Sequence, residues 1–280
     1  MSAPVCLITG TTSGIGRVTA RTLAQLGFEV VMACRHLPRA EALRDAMIEE
    51  TRNAKIHVVP CDLASLESVR ECATNFKVNH SRLDLLVNNA GMLPGRPRLS
   101  DDGFELTFAT NYLGPFLLTR LLLDSLVASQ PARIVNVASN MHVLGKLDLD
   151  RPQRSGVFSG MRAYAQAKLA VVMATVSLAE RLATTTVTAN CLHPGVVATN
   201  IIPDSSALLK SAGKLVSRFM FDAERGARTT LHVALAAQLA NVSGKYFNQH
   251  QQIIEPAALA RDRALRSHLW TVSEQMVGLG

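Results

Sequence analysis

Residues 5–17 read Val5-Cys6-Leu7-Ile8-Thr9-Gly10-Thr11-Thr12-Ser13-Gly14-Ile15-Gly16-Arg17. An apolar, β-branched run long enough for a strand buried on both faces leads into a glycine turn, and an amphipathic pattern begins at Ile15. Glycines at such a turn let the backbone bend tightly and approach a ligand. The first turn of the following helix offers unpaired N–H groups and a positive dipole end to a phosphate. The spacing Gly10-x3-Gly14-x-Gly16 differs from Gly-x-Gly-x-x-Gly, so the argument rests on place, at a strand-to-helix turn, and a glycine turn without a ligand stays open as an alternative.

Outward from this turn the same rhythm repeats. Short apolar runs recur at 29–34, 56–60, 83–88, 133–138, 186–192 and 245–247. Helical patterns lie between and after them, near 15–27, 38–53, 65–78, 101–128, 161–184, 222–240 and 256–277. Alternation of this kind predicts an α/β fold, a doubly wound parallel sheet of about seven strands with helices on both faces. No repeat or Pro/Gly/Ser-rich linker divides the chain, so residues 1–280 are read as one domain. An insertion at about 196–225 interrupts the rhythm, and its 201–221 stretch carries apolar residues at helical spacing, either a lid over a site or a surface helix.

Composition excludes several classes. With 48% hydrophobic and 18% charged residues the chain has material for a substantial core and is no disordered tail. The net charge of +7 comes mostly from arginines scattered singly, and aromatics are 5%, a poor match to a nucleic-acid surface. No apolar run is long enough to span a bilayer and no signal peptide precedes the first strand, which points to a soluble, cytoplasmic protein. Cys6, Cys34, Cys61, Cys72 and Cys191 are widely spaced and read as buried reduced thiols. Neither Cys-x-x-Cys nor His-x-x-x-His occurs, so no metal site is expected.

In dinucleotide folds the end of the second strand meets the adenosine ribose. An acidic residue there favours NAD, and an arginine accommodates the 2′-phosphate of NADP. Here that strand ends Ala33-Cys34-Arg35, and Arg17 lies just inside the first helix, so NADP is expected. Tyr164-x3-Lys168 puts two side chains on one helix face. Asn111 precedes it in a helical region and Ser139 ends a buried strand. Taken singly, Ser139 also suits a cap, Asn111 a helix-interior polar residue and Tyr164 a half-buried aromatic.

Together these pieces resemble the short-chain dehydrogenase/reductase family over essentially the whole chain. The matching residues are Thr9-Gly10-x3-Gly14-x-Gly16, Cys61-Asp62-Leu63, Asn88-Asn89-Ala90-Gly91, Asn111, Ser139, Tyr164-x3-Lys168 and His193-Pro194-Gly195. Ala33-Cys34-Arg35, Asp102-Gly103-Phe104-Glu105, Asn111-x2-Gly114-x-Phe116-Leu117-Leu118-Thr119 and Ser243-Gly244-Lys245-Tyr246-Phe247 are similar to the retinol dehydrogenase-like branch, as is the wide gap from Ser139 to Tyr164. The resemblance implies a Rossmann-type sheet that binds the cofactor through Gly10, Ser13, Gly14, Ile15, Gly16, Arg17 and Arg35. It also implies Asp62 and Leu63 near adenine, Asn88, Asn89, Ala90 and Gly91 along the cofactor, and Pro194, Gly195, Val197 and Thr199 toward the nicotinamide, with Tyr164 and Lys168 also touching it. It further implies a catalytic tetrad of Asn111, Ser139, Tyr164 and Lys168, with Asn111 anchoring a proton-relay water. Family members associate through helices such as those at 101–128 and 161–184, which implies a homodimer or homotetramer.

Hydride transfer to a carbonyl leaves negative charge on oxygen, so the site needs a proton donor, Tyr164, and a second hydrogen bond, Ser139. A nearby Lys168 cation together with the oxidised nicotinamide would favour the tyrosine phenolate. The leading expectation is an NADP-dependent alcohol/carbonyl oxidoreductase, a carbonyl reductase acting on a small lipophilic substrate. The basic loop Arg96-Pro97-Arg98 suggests instead a biosynthetic ketoreductase for a polar or carrier-bound metabolite. A dinucleotide-sensing interaction protein without turnover is the reading from another class.

Overall fold

The computed structural model describes residues 3–93, 95–147, 160–195 and 222–280. Its sheet contains β1 (Val5–Thr9), β2 (Glu29–Cys34), β3 (Ile56–Pro60), β4 (Leu85–Asn88), β5 (Ala132–Val137), β6 (Val187–Leu192), β7 (Tyr246–Phe247) and β8 (Ile253–Ile254). The spatial order is β3-β2-β1-β4-β5-β6-β7-β8. Pairings are parallel except for the last, where Phe247 faces Ile253 in antiparallel register. The seven expected runs are all strands, and the eighth is an addition.

Alternation along β1 shows why the strand reads as continuously apolar. Val5 and Leu7 enter one core layer, while Cys6 and Ile8 enter the other. The second layer is closed by α1 (Gly14–Gln25) and α2 (Leu37–Thr51), joined by α8 (Ala223–Leu235). Covering the opposite face are α3 (Leu66–Asn79), α4 (Leu106–Phe108), α5 (Gly114–Leu121), α6 (Leu123–Ala128), α7 (Gly160–Arg181), α9 (Ala258–Arg261) and α10 (Arg263–Met276). All five cysteines are buried and free.

Three expected helices are broken, the 222–240 pattern stopping at Leu235 before a separate 3₁₀ turn at Ala237–Leu239. The 101–128 pattern contains a π-helical stretch, Ala109–Leu113, between α4 and α5. Pro115 explains the change of register, because it has no N–H to give to the carbonyl of Asn111 four residues earlier. The 256–277 pattern divides at Asp262, whose carboxylate accepts from Leu265 N at 3.0 Å and starts α10 afresh.

Helix α10 lies across α5 and α7. The Tyr112 hydroxyl meets Ser273 Oγ at 2.6 Å, the Trp270 ring sits edge-on to Phe116 at 5.0 Å, and the Arg181 guanidinium covers Trp270 at 4.1 Å. Arg120–Glu274 and Arg266–Glu180 ion pairs complete the seam. Part of the surface of the two helices that the resemblance assigned to association is therefore in contact with α10 of the same chain. No helix among the described residues is long and apolar enough to cross a membrane.

Candidate active site

Strand order reverses between β1 and β4, and the crevice beyond their carboxyl ends is where a doubly wound sheet takes a ligand. There the glycine turn is locked to the end of β4. Thr9 Oγ1 accepts from Asn89 N and Ala90 N, each at 3.0 Å, and Asn89 Nδ2 donates to the carbonyls of Thr9 and Gly10 at 2.9 and 3.2 Å. Gly10 has φ +72° and Gly14 φ +56°, both in the left-handed region. A Cβ on Gly16 would lie 2.2 Å from the Gly10 carbonyl oxygen, so only glycine allows α1 to start so close to β1.

The start of α1 carries no competing charge. Ser13 is its N-cap but makes no side-chain capping bond, and no acidic residue lies in the first turn. Its N–H groups are thus suited to an anion. Ile15 is buried against Val18 and Ala227 and holds α1 to α8. Arg17 and Arg35 are both exposed, with no ion-pair partner among the described residues. A buried 3.0 Å contact between Thr11 Oγ1 and Cys34 Sγ ties the turn to the end of β2, bringing Arg35 to the same rim. Uncapped N–H groups and unpaired cations fit the phosphates of a dinucleotide.

Asp62 and Leu63 follow β3 at the same end of the sheet. Asp62 Oδ1 accepts from Ala64 N at 3.0 Å, and the carbonyl of buried Leu63 would lie 2.2 Å from a Cβ on Gly114, a glycine that brings α5 against this turn. The Asn88 side chain points into the helical layer, donating to Thr119 Oγ1 and Asn136 Oδ1 at 2.9 and 2.8 Å. Asn88 therefore braces β4 from below, while Asn89 holds the glycine turn. Pro194 and Gly195, at φ +85°, leave the end of β6. Val197 and Thr199, with the 201–221 stretch, lie outside the described residues, whereas 222–225 belong to the start of α8, capped by Asp222. Arg96 and Arg98 are exposed.

Two of the candidate tetrad residues, Asn111 and Lys168, meet beside Gly91, and Lys168 links them to Tyr164. A Cβ on Gly91 would lie 3.5 Å from both Asn111 Oδ1 and Lys168 Nζ. Asn111 sits in the π-helical stretch, where its amide accepts from Met92 N at 2.7 Å and donates to Met92 O at 2.8 Å. Lys168 is buried, donates to the Val137 carbonyl at 2.7 Å and stands 5.6 Å from the centre of the Tyr164 ring. Ser139 lies just beyond β5, accepts from Met141 N at 3.2 Å, donates to Asn140 Oδ1 at 3.4 Å, and is close enough to the Tyr164 hydroxyl to act on its pKa.

Burial governs the electrostatics. It lowers the Lys168 pKa to about 8. Tyr164 is raised, chiefly by burial, with the Ser139 hydrogen bond pulling the other way. In the chain's own environment burial therefore opposes the phenolate, and the nicotinamide charge that enters the expected balance comes only with the cofactor. Sequence reasoning missed Met92 and Val137, which anchor Asn111 and Lys168 through backbone atoms and so leave no side-chain signature. It also missed His142, whose Nδ1 lies 2.8 Å from the Ser139 carbonyl while Nε2 accepts from Ala257 N at 3.1 Å.

The family model described as short chain dehydrogenase matches residues 4–208. Human retinol dehydrogenase 13 is 39% identical over 279 residues, covering 98% of this chain and 84% of that protein. Human polyprenol dehydrogenase is 38% identical over 282 residues, with 98% and 85% covered. The crystal structure of an uncharacterized protein from Mycobacterium paratuberculosis superposes with a TM-score of 0.80 at 33% identity, covering 98% of this chain and 93% of that one. The locked glycine turn, the convergence at Gly91 and these likenesses lead to one conclusion: this chain belongs to the short-chain dehydrogenase/reductase family of alcohol/carbonyl oxidoreductases and is retinol dehydrogenase-like.

Proposed function

We propose that the protein is an NADP-dependent oxidoreductase that interconverts an alcohol and a carbonyl on a small lipophilic substrate, with Tyr164 as general acid and base. The observation that carries this reading is the chain of neighbours from Asn111 and Lys168 beside Gly91 to Tyr164 and Ser139, at the same end of the sheet as an uncapped helix start. When bound, the dinucleotide supplies or accepts the hydride. Backbone N–H groups of Ser13 to Gly16 hold its pyrophosphate, and Arg17 and Arg35 meet the 2′-phosphate. Ser139 and Tyr164 hydrogen-bond the substrate oxygen. In reduction Tyr164 gives its proton to the developing alkoxide, and it regains one by way of Lys168.

A lipophilic substrate is supported by exposed apolar side chains on the two elements that carry Ser139 and Tyr164. Val143 and Leu144 follow Ser139 in a short 3₁₀ turn at 60% and 67% exposure, and Met161 precedes Tyr164 at 49%. Large apolar side chains left exposed on these elements suit an apolar substrate. Retinol and polyprenol, named for two similar proteins, are isoprenoid alcohols. The test is turnover of a panel of isoprenoid aldehydes and anionic ketones with NADPH, by wild type and Tyr164→Phe. We expect the aldehydes to be preferred and Tyr164→Phe to lose at least a hundredfold in kcat, since general acid catalysis contributes roughly 10²–10⁴. Unchanged turnover in Tyr164→Phe refutes the mechanism, and a preference for anionic ketones refutes the substrate class.

A further inference from the structure

We propose that Glu29, His57 and His80 form a binding site for a divalent transition-metal ion of the zinc class. The residues come from three elements: Glu29 opens β2, His57 lies in β3 beside Val31, and His80 follows the last turn of α3. They meet at the opposite end of β2 from Arg35, away from the glycine turn. Their ligand atoms all lie within 4.8 Å of one another. Glu29 Oε1 is 3.0 Å from His80 Nε2 and 3.4 Å from His57 Nε2.

His80 is held as a ligand is held. Its ring stacks on Phe76 at 4.7 Å and 14°, and its Nδ1 lies 3.3 Å from the Phe76 carbonyl. Both ring nitrogens therefore face oxygen acceptors, yet a neutral imidazole has one N–H. In the tautomer that donates from Nδ1 to the Phe76 carbonyl, the Nε2 lone pair faces the Glu29 carboxylate. A cation between them removes that repulsion, and a backbone carbonyl fixing the tautomer of a ligating histidine is the usual arrangement.

Distances suit the ion. Metal bonds near 2.0–2.1 Å in a tetrahedron separate ligand atoms by about 3.4 Å, close to the two carboxylate–imidazole spacings already present. The His57–His80 pair is the one that must close, and the His57 side chain, 49% exposed, has room to rotate. Two imidazoles and a carboxylate select zinc, copper, nickel or cobalt over magnesium or calcium. The sequence showed none of this because the ligands share no local spacing.

The experiment titrates the full chain with ZnCl2, CoCl2 and MgCl2, following Tm and, for cobalt, visible absorption. Expected are a Tm rise of about 5 °C at a hundredfold excess of Zn²⁺ over its Kd, cobalt d–d bands, and no response to Mg²⁺. His57→Ala removes an exposed side chain and Glu29→Gln removes only charge, and each loses both signals while keeping the metal-free Tm of wild type to within about 2 °C. No Zn²⁺ shift in wild type overturns the proposal. So does a shift that persists in both variants, since the ion then binds elsewhere.

Discussion

Arg35→Ala separates the cofactor argument from the fold. Arg35 is exposed and Arg17 is likewise, and neither makes an ion pair among the described residues, so removing either one deletes no internal contact. Folded stability should stay within about 0.5 kcal/mol of wild type. A solvent-facing charge pair contributes up to about 1 kcal/mol, and a charge-assisted hydrogen bond about 1.5–3 kcal/mol. A contact between these limits is worth ~1.4 kcal/mol, or about tenfold in affinity. NADPH should therefore bind about tenfold more weakly to Arg35→Ala, and up to about a hundredfold more weakly when Arg17→Ala is added. NADH lacks the 2′-phosphate and should change less than about twofold. The assay is fluorescence titration of both cofactors at two ionic strengths, because the NADPH advantage should shrink as salt screens an exposed pair. If wild type binds the two equally, or if Arg35→Ala weakens both alike, the 2′-phosphate reasoning is wrong.

Gly16→Ala should cost about 1–3 kcal/mol in denaturant melts and weaken either dinucleotide at least tenfold, since the new Cβ meets a backbone oxygen that cannot swing away; wild-type affinity would contradict the close approach. Lys168 holds its cation only below about pH 8, so turnover that depends on it should fall as pH rises through that value, a limb Lys168→Met should lack along with most activity. The same shift has a stability sign. The folded chain sheds this proton at about 8 and the unfolded chain at 10.5, so the unfolded state binds more protons between them. Stability from this group therefore rises with pH across that window, by about 3 kcal/mol in total, and Lys168→Met should flatten the rise relative to wild type. We expect a solution mass near 30.2 kDa by light scattering because α10 occupies the α5–α7 face, and Trp270→Ala should lose about 3–5 kcal/mol; a stable dimer mass for wild type would refute the occlusion.

The glycine turn and the strands were legible because burial on both faces leaves an unmixed apolar run, and because glycine is demanded where the chain turns with positive φ. β8 was not legible. Ile253 and Ile254 are exposed, flanked by polar residues, and become a strand only because β7 offers an edge. The break in the 101–128 helix was written at Gly114-Pro115 but went unread, since apolar periodicity continues through it. The candidate tetrad was legible as residue types, while the effect of burial on its lysine and tyrosine was not. Whether Lys168 or burial sets the state of Tyr164 depends on distances and solvent exclusion that spacing does not encode. Asn88 shows the same limit: a motif names it with Asn89, yet the two side chains point to opposite jobs.

The closure by α10 also orders events in time. Tyr112 and Ser273 are 161 residues apart, and residues 263–276 leave the ribosome after everything they cover. Until then the nascent chain presents Phe116 and neighbouring apolar side chains as an open surface, the kind that attracts chaperones or other unfinished copies. A chain lacking the residues from Trp270 onward would keep that flank uncovered.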